Sequence, residues 1–363
     1  MNIEQRVVQH FDWVWFLALL LLSGTGLIAA WSMTNAGGWD SFLGRHLIFL
    51  GLGIIVFLSL LYFDYHLYAD FIAVGYLLCL AVLVAVLVAG RAVHNNKSWL
   101  YFGSLGFQPS EFAKVLVIVA LAKYYSGVDG DRLGLRELLV GGLIVFVPTM
   151  LVVLQGDLGT AMTFVPIYAA LTLMAGLRRR HLLIFALAGV LAAPLGWMML
   201  HDYQRSRIQT VFNPSIDPLH RGYQTIQSKI AVGSGKFLGR GFKQGSQGQL
   251  GFLPARRTDF VFAVISEERG FLGSMIVLGL ILLIAVKLLR AAKEAKDRLG
   301  TMVIIGVLAL FLFHAFINIG MVVGLLPIAG IPLPFVSAGG SAMVSFFAAM
   351  SLCMNVKLRR FVN

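Results

Sequence analysis

Ten runs of about 20 mostly apolar residues dominate this chain and decide what it can fold into. They lie near 13–31, 42–61, 68–89, 109–123, 138–154, 158–176, 182–200, 260–286, 300–323 and 336–355. A segment in lipid has no water to satisfy its backbone, so each run predicts a helix that closes its own hydrogen bonds. Only 13% of the 363 residues are charged and 58% are hydrophobic, where a soluble domain carries roughly a quarter charged residues. The chain therefore reads as an all-α polytopic integral membrane protein of about ten transmembrane helices, with a single transmembrane domain over 1–363. The first run continues from Trp13 to Trp31 without a small-residue cleavage pattern, so it is read as a span and not as a removed signal.

A formal charge of +12 would suggest nucleic acid in a soluble chain. Here the basic residues fill the gaps between apolar runs, with no recognition helix, so anionic lipid is the partner they suit and nucleic acid is not. One set of connections holds Arg6, Lys123, Arg132, Arg136, Arg178 to Arg180, Lys287, Arg290, Lys293, Lys296, Arg298, Lys357, Arg359 and Arg360. The short connections of the other set hold Arg45, Arg91 and Lys97. Basic residues stay on the cytoplasmic side, which predicts that both termini are cytoplasmic. No Walker-type or dinucleotide glycine motif is present, so no nucleotide or organic cofactor is expected. Cys79 and Cys353 both sit inside apolar runs, which argues against a disulfide framework or a thiolate metal site.

Polar groups are expensive in a membrane, so the few inside or beside the spans are the functional candidates. Glu111 and Lys114, three residues apart, share a face near the start of the fourth span, as a structural ion pair or as the wall of an outward cavity. Ser110 or Ser98 could serve as polar groups at that end of the helix. Asp157, in Gly156-Asp157-Leu158-Gly159-Thr160, could cap the sixth helix or line a cavity. Glu267, Glu268 and Arg269 interrupt the eighth span and read as an internal network. His46 and His314 have no neighbours at metal-ligand spacing.

The segment 201–258, between the seventh and eighth spans, is too long for an ordinary connection and reads as a large extracytoplasmic functional loop. It carries Arg205, Arg207, Arg221, Lys229, Lys236, Arg240, Lys243, Arg256 and Arg257 against Asp202 and Asp217, an excess that suits a pyrophosphate. Glycines from Gly233 to Gly251 predict irregular backbone able to approach a ligand, and Tyr223 to Val232 a short interfacial helix. Asp259 follows where the eighth span begins, as a helix cap, an arginine partner or a general base.

Asn318, Gly324, Pro327 and Gly330, followed by Ser337-Ala338-Gly339-Gly340-Ser341-Ala342, resemble the C-terminal signature of the SEDS (shape, elongation, division and sporulation) family. Gln108-Pro109-Ser110-Glu111-Phe112-Ala113-Lys114, Gly156 to Thr160, Asn213-Pro214, Gly222-Tyr223-Gln224, Gly233-Ser234-Gly235 and Thr258-Asp259-Phe260 agree in the same order. The short N-terminus and the text from Gln227 to Gly235 are most similar to the rod-shape branch, with the division branch the nearest alternative. This resemblance implies ten helices and a peptidoglycan glycosyltransferase that polymerises lipid II into β-1,4-linked glycan strands for cell-wall elongation and rod shape. It implies an undecaprenyl-pyrophosphate-linked glycan as co-substrate, a class B penicillin-binding transpeptidase and other elongation-complex membrane proteins as partners, and the bacterial cytoplasmic membrane as location.

By the same resemblance Asp259 is the essential catalytic aspartate, and Glu111, Lys114 and Asp157 are supporting polar residues. A divalent cation, magnesium or manganese, would suit the pyrophosphate, although no dense ligand cluster marks a site. Relatives commonly carry proline where this chain has Gly156, and Pro-Glu-x-His-Thr-Asp where it reads Pro254-Ala255-Arg256-Arg257-Thr258-Asp259. Two other classes of function stay open: a flippase for lipid II or another polyprenyl lipid, and a non-catalytic scaffold for the transpeptidase.

Overall fold

A computed structural model describes residues 10–34, 41–93, 96–102, 105–128, 132–178, 221–253 and 255–360, with scattered positions among 130 and 180–210. In chain order the helices are α1 (Trp13–Ser32), α2 (Ser41–Leu60), α3 (Tyr65–Asp70), α4 (Ile72–Ala89), α5 (Pro109–Ser126), α6 (Leu135–Leu154), α7 (Leu158–Met162) and α8 (Phe164–Met174). They continue as α9 (Arg221–Ser234), α10 (Ser246–Gln249), α11 (Val261–Glu294), α12 (Arg298–Val322) and α13 (Gly340–Arg359).

Seven of these, α1, α2, α4, α6, α11, α12 and α13, are long and apolar enough to cross a bilayer. The expected fourth span is α5, a full helix made less apolar by Glu111 and Lys114. The sixth is divided between α7 and α8. The expected span 182–200 lies largely outside the described residues. The chain is thus a multi-pass helical membrane protein, and about ten remains an approximate count.

The helix order from rim to centre follows side-chain chemistry. On α4, with apolar residues on every face, Leu77, Leu78 and Val88 are exposed, as suits a lipid-facing helix. α13 is buried almost throughout and carries Ser345, Ser351, Cys353 and Asn355 in its interior. The two serines and the asparagine find partners, as polar groups must away from water. Ser351 Oγ donates to Phe57 O at 2.5 Å, and Asn355 accepts from Tyr65 N at 3.2 Å while donating to Leu60 O at 2.9 Å. α13 is thereby bonded to α2 and to the start of α3.

At the N-terminal end of the bundle, Asp12 accepts from Trp15 N, capping α1, and pairs with Lys287 and Lys357. Beside it His66 bridges two carboxylates, Asp64 at 2.8 Å and Asp297 at 2.7 Å, each of which also caps a helix. Burial alone would lower the His66 pKa, but the two carboxylates outweigh it and raise it; both carboxyls are held below their usual range despite burial. A raised histidine contributes stability in full below its unfolded pKa of about 6.5 and loses it as pH rises through the folded value. We expect the melting temperature in detergent to fall from pH 6 towards pH 8.5, modestly because His66 is half exposed, and the slope to flatten in His66→Gln. An unchanged slope would remove this bridge as its cause.

At the opposite end a three-stranded antiparallel sheet, β1 (Arg91–Val93), β2 (Asn96–Phe102) and β3 (Leu105–Phe107), fills what hydropathy leaves as a plain connection. Tyr101 pairs with Gly106 and Leu100 with Phe107. Lys97 N donates to Gln155 O at 2.9 Å, tying the sheet to the turn before Asp157.

α11 is broken at Gly270, whose φ of 65° and ψ of −159° are open to glycine alone. The glycine segment 235–241 runs into this break. Arg240 N donates to Glu267 O, Gly241 N to Glu268 O and Phe271 N to Lys236 O. The described part of the long loop is therefore docked on the helical body, its glycines close to the protein's own backbone at 266–270. The expected interfacial helix is α9, with Gly222, Thr225, Ser228 and Ala231 buried at helical spacing and Ser228 Oγ donating to Val322 O at 2.6 Å. It packs on α11 and α12.

Candidate active site

Asp259 sits in a tight turn between the glycine loop and α11. Ala255, at φ 51°, lets its carbonyl accept from Thr258 N, Asp259 N and Phe260 N. A left-handed alanine costs about 1–2 kcal/mol, so the turn needs outside support. The N-cap of α11 is Phe260, whose side chain makes no capping hydrogen bond.

Three successive carbonyls of the turn are held by the C-terminal signature. Arg257 O accepts from Ala338 N at 3.2 Å, Thr258 O from Ser337 Oγ at 2.6 Å and Asp259 O from Asn318 Nδ2 at 3.0 Å. Asn318 also donates to Ile331 O at 2.8 Å, and Ser337 Oγ accepts from Leu333 N at 2.8 Å. The signature thus clamps the backbone under Asp259. Gly330 belongs to the same wall: a Cβ there would lie 3.8 Å from Asp259 Oδ2. Pro327 lies in the non-helical run between α12 and α13, and Gly324, at φ 75°, leaves the space taken by the Lys229 stem.

Asp157 caps α7 through Thr160 N at 3.0 Å and Thr160 Oγ1 at 2.9 Å, and also accepts from Gln108 Nε2 at 2.8 Å. Gln108 N in turn donates to Ser341 Oγ at 2.9 Å. The cap and the C-terminal signature are therefore linked through one glutamine. Gly156 stands at φ 85°, a value proline cannot take.

Glu111 and Lys114 form an ion pair at 2.8 Å, both almost fully buried. Lys114 Nζ also lies 3.2 Å from His314 Nε2, whose Nδ1 faces Pro332 O at 3.2 Å. A carbonyl only accepts, so Nδ1 carries the hydrogen and Nε2 accepts from Lys114. The ion pair thus reaches the Pro332 segment that borders the Asp259 turn. Sequence reasoning names His314 only as a histidine without metal-spaced neighbours and Gln108 only within a longer segment, although His314 stands four residues from Asn318 on one helical face. Ser110 Oγ is buried without a hydrogen bond and the N-cap of α5 is Gln108, so neither Ser110 nor Ser98 caps that helix.

The basic residues of 201–258 divide. Arg256 donates to Gly248 O and Gln249 O, Arg257 to Met33 O at 2.8 Å, and Arg240 to Ser246 Oγ at 3.1 Å. Arg257 also lies over the Phe42 ring at 4.5 Å. Glu267 is the anchor of this loop, accepting from Gln247 N at 2.9 Å and Gly248 N at 3.0 Å. Arg256 and Arg257 hold protein backbone and Arg240 a loop hydroxyl, an outcome charge counting does not foresee. Lys229 and Lys236 are exposed, Lys243 half-buried; Arg221 opens α9, Arg205 donates to Met198 O, and Arg207 lies outside the described residues.

The family model for the FtsW/RodA/SpoVE cell cycle proteins matches residues 7–360. The chain belongs to this family. The family member MrdB of Escherichia coli K12, a peptidoglycan glycosyltransferase, is 36% identical over 356 residues, covering 97% of this chain and 94% of that one. The peptidoglycan glycosyltransferase RodA of Treponema pallidum is 31% identical over 436 residues, covering 98% and 99%. A solved chain from a peptidoglycan synthase complex that coordinates polymerization and crosslinking superposes with a TM-score of 0.83 at 30% identity, covering 97% and 99%.

Proposed function

We propose that this chain is a peptidoglycan glycosyltransferase of the bacterial inner membrane that polymerises lipid II for cell elongation. The observation that carries the reading is the Asp259 turn, one carboxylate whose backbone is fixed by three signature groups. Near full-length similarity to relatives named for this activity supports it. Both termini are cytoplasmic and the Asp259 end faces outward, since Lys287, Lys293, Lys357 and Arg359 gather towards the N-terminal end.

Asp259 takes the proton of the acceptor sugar 4-hydroxyl. The oxygen then attacks the anomeric carbon of the polyprenyl-diphosphate-linked strand from the opposite face. The new C–O bond forms as the bond to diphosphate breaks, the diphosphate leaves with the electron pair, and the α link becomes β-1,4. Holding the turn rigid keeps the base at one distance from the hydroxyl. Among the described residues no three His, Cys, Asp or Glu side chains could together hold a metal ion. The Asp259 carboxylate would be the residue to hold a magnesium or manganese ion. Bound there, it would neutralise charge on the departing diphosphate. The class B transpeptidase is the partner, in line with the likeness to a synthase-complex chain.

The test is purified chain in liposomes with lipid II, with and without the transpeptidase, and with a chelator arm. Polymer on a gel is the expected product. Lipid II crossing the bilayer without polymer would identify a flippase instead, and neither event would leave a scaffold.

A further inference from the structure

α1 and α11 pack side by side, and towards the Asp259 end they leave a cavity of about 460 Å³ between them that the glycosyl transfer step does not use. Its walls are two helical stripes at three- and four-residue spacing, Thr25, Ile28 and Ala29 on α1 and Leu272, Gly273 and Ile276 on α11. Ile28, Leu272 and Ile276 are exposed, so the groove opens sideways towards lipid. Thr25 Oγ1 donates to Leu22 O at 2.7 Å, which spends its hydroxyl on its own helix and leaves an apolar wall. At Gly273 a Cβ would meet Arg269 Cβ at 2.2 Å, so the wall stays bare below the arginine.

The rim of this groove is cationic. Glu267 and Glu268 are buried, Glu268 accepting from Gln249 Nε2 at 3.2 Å, whereas their neighbour Arg269 turns outward. Its guanidinium lies over the Phe242 ring at 5.8 Å and makes no ion pair among the described residues. Lys236 is exposed on the same rim, its carbonyl accepting from Phe271 N. From Phe271 to Val286 α11 carries no charged residue, so the two cations stand where the hydrocarbon ends. Aromatic rings collar the same level. Trp31 lies 5.3 Å from Phe242, and Phe237 stacks on Phe271 at 5.9 Å, with Trp31, Phe237 and Phe271 all exposed.

Cations above an apolar slot specify a ligand with an anion at headgroup height and a hydrocarbon chain below it. From Arg269 to Val277 the wall descends about 12 Å, close to the roughly 15 Å that one leaflet's chains occupy. Over that depth the volume makes a channel narrower than a helix, which is about 10–12 Å across with its side chains. A single chain fits where a partner's membrane helix does not.

We propose that this groove holds one acyl chain of an anionic phospholipid of the outer leaflet, with the lipid phosphate on Arg269 and Lys236. The site is independent of the glycosyl transfer reading and uses only the outward orientation of the Asp259 end. It also gives the 235–241 loop a second role, because the loop that docks on the Gly270 break supplies part of the lipid rim. A lipid seated there braces that contact, so binding should raise the melting temperature.

The test titrates phosphatidylglycerol against phosphatidylcholine on the full chain in neutral detergent, with native mass spectrometry counting bound lipid. One phosphatidylglycerol per chain should be retained saturably and in preference to phosphatidylcholine. Arg269→Gln should weaken it about fivefold, the loss of one cation near a lipid surface, while Arg269→Lys stays within about twofold. Thr25→Phe, which fills the groove and leaves the charge, should lose the lipid as well. Melting curves report the fold of each variant and should rise with phosphatidylglycerol in wild type and Arg269→Lys alone. Glycerophosphoglycerol, the same headgroup without chains, should not compete. Equal retention of phosphatidylcholine, competition by the bare headgroup, or unchanged binding by folded Arg269→Gln or folded Thr25→Phe would each overturn the proposal. Displacement of the lipid by a transpeptidase's membrane helix would overturn it too. Wild-type protein that retains phosphatidylglycerol but makes no polymer from lipid II sinks the enzymatic reading and leaves the lipid site standing.

Discussion

Asp259→Asn should lower lipid II polymerisation by about 10²- to 10⁴-fold, the contribution of a positioned general base, with little change in melting temperature. The asymmetry follows from how the turn is held. Asn318 and Ser337 grip the backbone carbonyls of Asp259 and Thr258, so an isosteric amide leaves those contacts in place. What is lost is the ability to accept a proton. Asn318→Ala should behave differently. It leaves the carbonyls of Asp259 and Ile331 without their donor, at about 1–3 kcal/mol for each buried acceptor, so stability and turnover should fall together. Initial rates with lipid II and thermal melting of the same preparations separate the two patterns. Full activity in folded Asp259→Asn would remove Asp259 from the proton transfer.

Much of this architecture is legible in the sequence because lipid imposes a plain rule, a long run without charges. The rule weakens where function intrudes. Glu111 and Lys114 make α5 the least obvious long helix, and the sheet at Arg91–Phe107 is hidden in a polar connection. Asp259, Asp157, Glu111 and Lys114 stand out because carboxylates and amines beside apolar runs are rare. The clamp does not stand out. It works through backbone carbonyls 59 and 79 positions away from Asn318 and Ser337, and carbonyls leave no trace in composition. Charge counting has the matching weakness: Arg256 and Arg257 add to a basic excess while donating to Gly248 O and Met33 O. His46 shows the reverse case, a lone histidine that shares a cavity wall with Trp99 and Gly340, brought to it only by the fold.

Lys114→Met should be the most destabilising single change at this end of the protein. It leaves the Glu111 carboxylate buried without its cation, and breaking a buried pair from one side costs about 3–5 kcal/mol. It also strips the donor from His314 Nε2, a buried acceptor worth about 1–3 kcal/mol when unmet. Removing both charges together, in Glu111→Leu with Lys114→Met, should recover most of the first cost, because a buried ion pair replaced by apolar groups of similar volume is close to neutral. The second cost should persist, since His314 still points at Pro332 O through Nδ1 and still lacks a partner at Nε2. Melting temperatures of the two single variants and the double variant form a cycle that reads this coupling directly. Additive losses would mean that Glu111 and Lys114 do not act as a pair. A strongly rescued fold with lost polymerisation would mean that the pair also serves the Asp259 site, through Pro332 and the signature segment that holds the turn.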